Sequence, residues 1–208
     1  MLSAANMFLL GVVDTRPINP YEIVSRFEYN RFNSILSIAE STIYVNIRTM
    51  NHKGYIQYEL QKDGMMPAKK VYHLTDIGRE ELKNSVRVYL SSKSTDLTAF
   101  SVALLLMHYF PKEELLKLLN QHKESLRLDL LEREDDYRFV SSVHEEVPCI
   151  PNVACSGLCY LQKKAEMDTV CSAIAMLERA EVWPQNTFAF DQEYLEHYRD
   201  WVKNKNNV

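Results

Sequence analysis

The residues best suited to binding chemistry lie in two short stretches of the chain. Between positions 41 and 49, hydroxyl side chains, one tyrosine and one arginine alternate with apolar residues, and Lys69 and Lys70 follow further along. Lysine and arginine neutralise phosphate charges, and the first N–H groups of a helix also favour a phosphate. These residue types therefore predict binding to a polyanion, and double-stranded DNA is the expected ligand.

Helical spacing sorts the first stretch into two faces. Ile43, Ile47 and Met50 fall at i, i+4 and i+7, which predicts a single buried stripe, and the opposite face extends to His52. Arginine can donate two hydrogen bonds to guanine, and valine can contact a thymine methyl. The predicted DNA contacts are Ser41, Thr42 and Tyr44 for the backbone, Val45, Arg48 and Thr49 for base edges, Lys69 and Lys70 for phosphates, and Tyr21 for one further phosphate.

Each predicted contact also has a structural alternative. Tyr44 lies at the edge of the buried stripe and suits packing, and Arg48 suits an ion pair with a neighbouring carboxylate. Lysines such as Lys69 and Lys70 also protect the edges of strands from association. The prediction of DNA binding therefore rests on the combination of these residues on one surface.

The elements that must position these residues are predicted over residues 1–90. Asn19 and Pro20 are typical of the start of a helix, here the second one. Gly54 is typical of the end of a helix and follows the third, and Thr75 is typical of a cap at the start of the fourth. Between them, "YIQYELQ" and "KKVYHL" alternate as strands, with a hairpin turn signal at Asp63-Gly64. The order helix, helix, helix, strand, turn, strand, helix predicts a winged helix-turn-helix with a two-stranded wing.

Residues 91–208 are predicted to form an all-helical domain, so the fold class is mainly α. The run "LTAFSVALLLMHYF" is predicted to be a buried helix, and a long amphipathic helix begins near Pro111. Pro148 and Pro151 are predicted to interrupt the helices, and a short final helix is expected in "DQEYLEHYRDWVKNK". The stripe from Leu115 to Val143 and the helix from Leu158 to Val182 predict a homodimer interface, unless they pack only within the chain.

Composition and charge set the broad class of protein. The chain has 208 residues, 46% hydrophobic and 25% charged, as in ordinary globular proteins. Residues 1–90 carry a formal charge of +2 and residues 91–208 a charge of −6, which favours an anion-binding head on an acidic body. Without a basic segment before the N-terminal apolar run, or any apolar run long enough for a bilayer, we expect a cytoplasmic protein with no membrane association.

Cysteine and histidine spacing gives little support to metal or catalytic chemistry. The four cysteines, at positions 149, 155, 159 and 171, contain no CxxC pair, and no two histidines have metal-ligand spacing on a helix. An enzyme using Cys155 or Cys159 with a histidine is an alternative, but no nucleophile elbow or Cys/His signature supports it. We therefore predict no metal, no cofactor and no enzymatic activity.

Several motifs together resemble the PadR-type transcriptional regulators, a family named for the phenolic-acid response. "FLLGVVDTRPINPYEIVSRFE" is similar to the opening helix pair of the family, and "STIYVNIRTMNHKGYI" to its recognition helix and following strand. "AKKVYHLTDIGREEL" is similar to the end of its wing. Asn19-Pro20 replaces a frequent His-Gly, and Glu40 adds an acidic residue near the expected DNA, so the operator sequence is not carried over.

The resemblance implies a dimeric repressor that a small molecule releases from its operator. The resemblance also implies a small, often aromatic effector that binds in or near the dimerisation region, and the candidates to line such a site are Trp183, Tyr109, Phe110 and the Met-bearing helices. The alternative for these aromatic residues is that they pack in the core. The alternative is a winged-helix module that binds proteins rather than DNA, with Glu40 repelling phosphates. The predicted division is a DNA-binding domain at residues 1–90 and a dimerisation and effector domain at residues 91–208.

Overall fold

The structure, a computed structural model, describes residues 1–29, 35–62, 67–92, 96–146 and 149–183. Over these residues the chain is mainly helical with one two-stranded antiparallel sheet, which confirms the predicted fold class. The described residues form two compact units. The first contains residues 1–87 and 98–109, and the second contains residues 88–97 and 110–183.

The elements follow the predicted order. They are α1 (Ala4–Thr15), α2 (Pro20–Tyr29), α3 (Glu40–His52), β1 (Ile56–Gln61), β2 (Lys69–Leu74), α4 (Asp76–Ser91), α5 (Leu97–Leu105), a 3-10 turn (Met107–Tyr109), α6 (Lys112–Glu146) and α7 (Ile150–Arg179). The hairpin turn predicted at Asp63-Gly64 and the predicted final helix lie outside the described residues.

Local capping explains where α2 and α4 begin. Asn19 Oδ1 accepts a hydrogen bond from the Glu22 N–H at 3.0 Å, and the Glu22 carboxylate accepts one from the Asn19 amide. The first bond satisfies a backbone N–H group that lacks a partner in the first turn of α2, and the second holds the Asn19 side chain in place. At α4, Thr75 Oγ1 accepts from the Gly78 N–H at 3.1 Å and donates to the Gly54 carbonyl at 2.6 Å. Both predicted starts are therefore confirmed.

Gly54 and Gly78 allow the chain to turn from α3 into the wing. Gly54 has a φ of +73°, in the left-handed region where a side chain is disfavoured, and it ends α3 as predicted. At Gly78 an added Cβ would collide with the Tyr55 carbonyl, so the first turn of α4 packs directly against the chain entering β1.

The core of the first unit holds α3 in place. Helix α1 is buried on most sides, and the predicted stripe of Ile43, Ile47 and Met50 is fully buried. The sheet is fixed by a backbone bridge in which Ile18 and Tyr72 exchange hydrogen bonds of 3.0 and 2.9 Å. One side of α3 is therefore committed to the core, and the wing is attached to the segment between α1 and α2.

The second unit contains an antiparallel hairpin of α6 and α7. Lys112, at the start of α6, donates a 2.7 Å hydrogen bond to the Ala180 carbonyl at the end of α7. Further along, His122 Nε2 lies 2.8 Å from Glu166 Oε1, and Lys163 donates to Glu166 Oε2 at 2.7 Å. Asp129 of α6 is also largely buried and pairs with Arg133 at 3.3 Å. The fully or largely buried apolar residues of the seam are Leu115, Leu119, Leu126, Val170, Ile174 and Leu177.

Three predictions about the C-terminal helices require correction. Helix α7 begins at Ile150 rather than Leu158, because Pro151 lies in its first turn, where a missing N–H costs no intrahelical hydrogen bond. The apolar run after residue 97 ends as a helix at Leu105 and continues as a 3-10 turn. Leu115 and Leu119 of the predicted interface stripe are buried within the chain's own hairpin.

Candidate nucleic-acid interface

Helix α3 presents one exposed polar face. Ser41, Thr42 and Arg48 are exposed, Val45 is 57% exposed, and Tyr44 lies at the boundary with the buried stripe. Within the described part of the chain, no carboxylate pairs with Arg48, so its guanidinium retains its donors for an external acceptor. The structure therefore brings these five predicted contacts together on one helix.

The hydroxyl of Thr49 is used within the helix. Its Oγ1 donates a 3.0 Å hydrogen bond to the Val45 carbonyl, one turn earlier. The same oxygen can still accept a hydrogen bond, because a hydroxyl has one donor and two acceptor sites. At a DNA base edge, Thr49 is thus suited to accept from an amino group.

The start of α3 combines a favourable and an unfavourable feature for an anion. Ala39 occupies the N-cap position and provides no side-chain hydrogen bond to the first turn. The positive end of the helix dipole therefore faces outward without a side-chain acceptor, which favours a phosphate. The exposed carboxylate of Glu40 in the same turn opposes it.

The wing separates the two predicted lysine contacts. Strands β1 and β2 pair antiparallel, with Gln61 opposite Lys69 and Leu60 opposite Lys70. Because side chains alternate across a strand, the exposed Lys69 and Lys70 project from opposite faces of the sheet. The structure does not bring the two lysines together as one patch.

Tyr21 and three further residues complete the description of this surface. Tyr21 is 75% exposed in the first turn of α2. His52, predicted on the outer face, and Lys53 are exposed at the end of α3; Lys53 was missed, although it lies four residues after Thr49. Tyr58 was also missed, although strand alternation predicts that it shares a face with Lys70.

The residues predicted to line an effector site have internal partners. The Tyr109 hydroxyl donates to Asp14 Oδ2 at 2.5 Å, and Arg79 forms an ion pair of 2.7 Å with the same carboxylate. Burial, together with this hydrogen bond, raises the pKa of Tyr109 well above its ordinary value, so its hydroxyl remains a donor at neutral pH. Tyr109 belongs to the first unit.

Phe110 and Trp183 belong to the second unit. Phe110 is buried, and the Trp183 indole donates a 3.0 Å hydrogen bond to the Phe110 carbonyl. Burial lowers the pKa of His108, which belongs to the first unit.

Among the described residues, no cluster of His, Cys, Asp and Glu is arranged to hold a metal ion, and no helix is long and apolar enough to cross a membrane.

The fold and this surface define a winged-helix domain of the class that DNA-binding proteins use, with an exposed third helix and a lysine on each face of the wing. Residues 9–84 match the transcriptional regulator PadR-like family. Over these residues the chain is similar to the domain of a family of transcriptional regulators. No curated protein shows significant similarity to the chain.

Solved structures with similarity to the chain include three from this family. Bacillus subtilis PadR in complex with operator DNA is 19% identical, with a TM-score of 0.39, covering 83% of this chain and 98% of that chain. Bacillus subtilis PadR in complex with p-coumaric acid is 18% identical, with a TM-score of 0.35, covering 85% and 100%. The PadR-like regulator BC1756 from Bacillus cereus is 19% identical, with a TM-score of 0.35, covering 84% and 98%.

Proposed function

We propose that this transcriptional regulator is a dimeric, sequence-specific repressor, with residues 1–90 binding DNA and residues 91–208 forming the dimer and effector domain. It acts in the cytoplasm and catalyses no reaction. The observation that carries the proposal is the division of α3 into two faces. Its buried stripe is fixed in the core, while the opposite side exposes Arg48, Val45 and Ser41 to solvent.

Each proposed DNA contact has a defined role. Ser41, Thr42, Tyr44 and Tyr21 hydrogen-bond to the backbone, and the lysines of the wing neutralise phosphates. Arg48 reads guanine, while Val45 and Thr49 contact neighbouring base edges. The phosphate contacts set affinity for any sequence, and the base contacts set the preference for one.

The experiment that tests this assignment compares Arg48→Ala with the double variant Lys69→Ala/Lys70→Ala on duplexes recovered by selection. Arg48→Ala should relax the preference at one position of each half-site by about 1–3 kcal/mol. The double lysine variant should weaken binding to all duplexes alike and make it less salt-dependent. If Arg48→Ala discriminates among the duplexes as the unaltered protein does, Arg48 is not a base reader.

The proposed dimer uses the exposed apolar residues of the hairpin. More than half of the surface of each of the following side chains is exposed: Leu128, Leu131, Phe139, Leu158, Leu161 and Met176. Exposed apolar residues on both helices support burial against a second copy. Such a dimer presents two copies of α3 to two half-sites, separated by about 34–36 Å or a multiple of it.

The proposed effector is a small aromatic compound that weakens operator binding. The family resemblance supports this part of the proposal, and p-coumaric acid is the first probe to use. Addition of p-coumaric acid should release the protein from its selected duplex, measured by fluorescence anisotropy. Benzoic acid, which is smaller and lacks the phenol, serves as the comparison compound. If neither compound releases the protein from the duplex, this choice of effector is contradicted.

One observation favours the second candidate, a winged-helix module that binds a protein. Glu40 places an exposed negative charge at the start of α3, where it would face a phosphate. Mobility-shift experiments at low and high salt separate the two candidates. Retardation that is specific in sequence and weakened by salt supports the repressor, whereas an absence of retardation even at low salt supports the protein-binding module.

A further inference from the structure

We infer that Tyr58 is a positioning residue for the wing, whose ring holds the Lys70 ammonium in place for a phosphate. This inference rests on the proposed function and deepens it, because it assigns different roles to the two wing lysines. Tyr58 itself need not touch DNA. It acts through Lys70, by restricting where that charge lies before DNA arrives.

The strand register places Tyr58 and Lys70 on one face. In the antiparallel sheet Tyr58 lies opposite Tyr72, and Leu60 lies opposite Lys70. Side chains two residues apart on a strand share a face, and those directly opposite share it as well. One face of the sheet therefore carries Ile56, Tyr58, Leu60, Lys70, Tyr72 and Leu74.

Direct contacts form a continuous path from the core to the lysine. Tyr72 is largely buried and is anchored by its backbone bridge to Ile18. The rings of Tyr72 and Tyr58 lie 5.5 Å apart, with their planes inclined by 58°. The Lys70 Nζ then lies 4.2 Å from the centre of the Tyr58 ring, within the range of a cation–π interaction.

The exposed end of this path explains why the contact matters for binding. A free lysine side chain samples many rotamers, and fixing it on a phosphate costs conformational entropy. Tyr58 already restricts these rotamers, while the partly exposed ring leaves the ammonium accessible to an external anion. Binding to a phosphate therefore costs less for Lys70 than for an unsupported lysine.

Lys69 has a different environment. The opposite face of the sheet carries Lys69 together with the carboxylate of Glu59 and the amides of Gln57 and Gln61. Among the described strand residues, the face that carries Lys70 has no acidic side chain. Lys70 therefore provides the cationic face of the wing, and its replacement should weaken DNA binding more than replacement of Lys69.

The test compares Tyr58→Ile with Tyr58→Phe in the full-length protein. Isoleucine suits a strand but has no aromatic ring, whereas phenylalanine keeps the ring and removes only the hydroxyl. Binding is measured by anisotropy on a selected duplex and on a random-sequence duplex, over a series of salt concentrations. Thermal unfolding of each variant checks that the wing remains folded, and Tyr58→Leu replaces the isoleucine variant if that one is unstable.

Tyr58→Ile should weaken binding to both duplexes by about two- to fivefold, and Tyr58→Phe should bind as the unaltered protein does. Lys70→Ala should weaken binding more than Lys69→Ala and reduce the salt slope by about one unit. In the Lys70→Ala background, Tyr58→Ile should have no further effect. The inference would be overturned if Tyr58→Ile caused the same loss of affinity with and without Lys70, or if it caused no loss of affinity at all.

A measurement without DNA separates this inference from the proposed function. In the free protein, the Tyr58 ring current should shift the Lys70 ε-methylene protons upfield in the NMR spectrum, and Tyr58→Ile should abolish that shift. Unshifted protons in the unaltered protein would overturn the positioning role. Failure of the unaltered protein to bind either duplex, with the shift present, would instead overturn the proposed function.

Discussion

Helix α3 and the α6–α7 hairpin distribute their apolar residues in different ways. In α3 the large apolar side chains are confined to the buried stripe, apart from the exposed Val45 and the half-exposed Tyr44. In the hairpin, a buried seam is accompanied by a second set of apolar residues that face solvent. The first pattern suits the proposed binding of a charged ligand, and the second suits the proposed association with another copy of the chain.

Their buried polar groups also differ. The seam of the hairpin contains His122 and Glu166 with fully buried side chains, and the largely buried Lys163 binds the same carboxylate. The stripe of α3 that faces the core has no polar member. We therefore expect the hairpin to depend partly on ionic contacts in its seam and the position of α3 to depend on apolar packing.

The largest effect is expected from Glu166→Ala. This change leaves two basic side chains without their shared carboxylate in the seam, and loss of one partner of a buried pair costs about 3–5 kcal/mol. Chemical denaturation with urea measures the free energy of unfolding. The matched control is Glu124→Ala, which removes an exposed pair with Arg127 and should cost less than about 1 kcal/mol. Equal losses would contradict the role of the network.

Ile47→Ala tests the packing of α3 and should cost about 2–5 kcal/mol, because it creates a cavity under this helix. Val45→Ala on the exposed face of the same helix is the control and should change the free energy of unfolding by about 0.5 kcal/mol or less. Thermal and urea unfolding check both variants. If Val45→Ala were as costly as Ile47→Ala, the two faces of α3 would not differ as described.

Phe139→Asp combined with Leu161→Asp tests the exposed side of the hairpin. Charges placed in the proposed interface should weaken the dimer by about 2 kcal/mol or more, while the monomer remains folded. Light scattering coupled to size-exclusion chromatography measures the molar mass over a range of concentrations. Lys123→Asp, at an exposed position outside this apolar set, should leave the mass unchanged. If the double variant is still a dimer, the interface lies elsewhere.

The smallest effect is expected from Glu40→Gln. Removing this charge should strengthen DNA binding by about two- to threefold at low salt, and the gain should shrink as salt increases. The control is Asp76→Asn, which removes an acidic residue from the first turn of α4 and should have no such effect. Anisotropy titrations measure both. An unchanged affinity for Glu40→Gln would mean that no phosphate approaches the start of α3.

Local signals in the sequence were sufficient to predict the elements from α2 to α4. Asn19-Pro20, Gly54 and Thr75 specify their turns and caps through their own backbone and side-chain chemistry, and the 3.6-residue period identified the buried stripe of α3. The start of α7 was predicted wrongly, because a proline that interrupts a helix and a proline that begins one look alike until the flanking hydrogen bonds are known.

Tertiary contacts account for what the sequence did not reveal about the candidate site. Lys69 and Lys70 are adjacent in the chain and were treated as a pair, whereas strand alternation separates them and only Lys70 stacks on Tyr58. Likewise, Leu115 and Leu119 share a helical stripe with interface candidates, but the hairpin itself buries them. A periodic pattern predicts that a face is buried without identifying its partner.

The central claim is that the exposed face of α3 reads a DNA sequence as part of a symmetric dimer. Sequencing of DNA fragments bound by the purified protein, in parallel with its Arg48→Ala variant, tests it most directly. We predict an inverted repeat whose half-sites lie about one helical turn apart, or a multiple of it, with one position of each half-site losing its preference in the variant. Fragments without an enriched motif, or the same motif at full strength from both proteins, would contradict the claim.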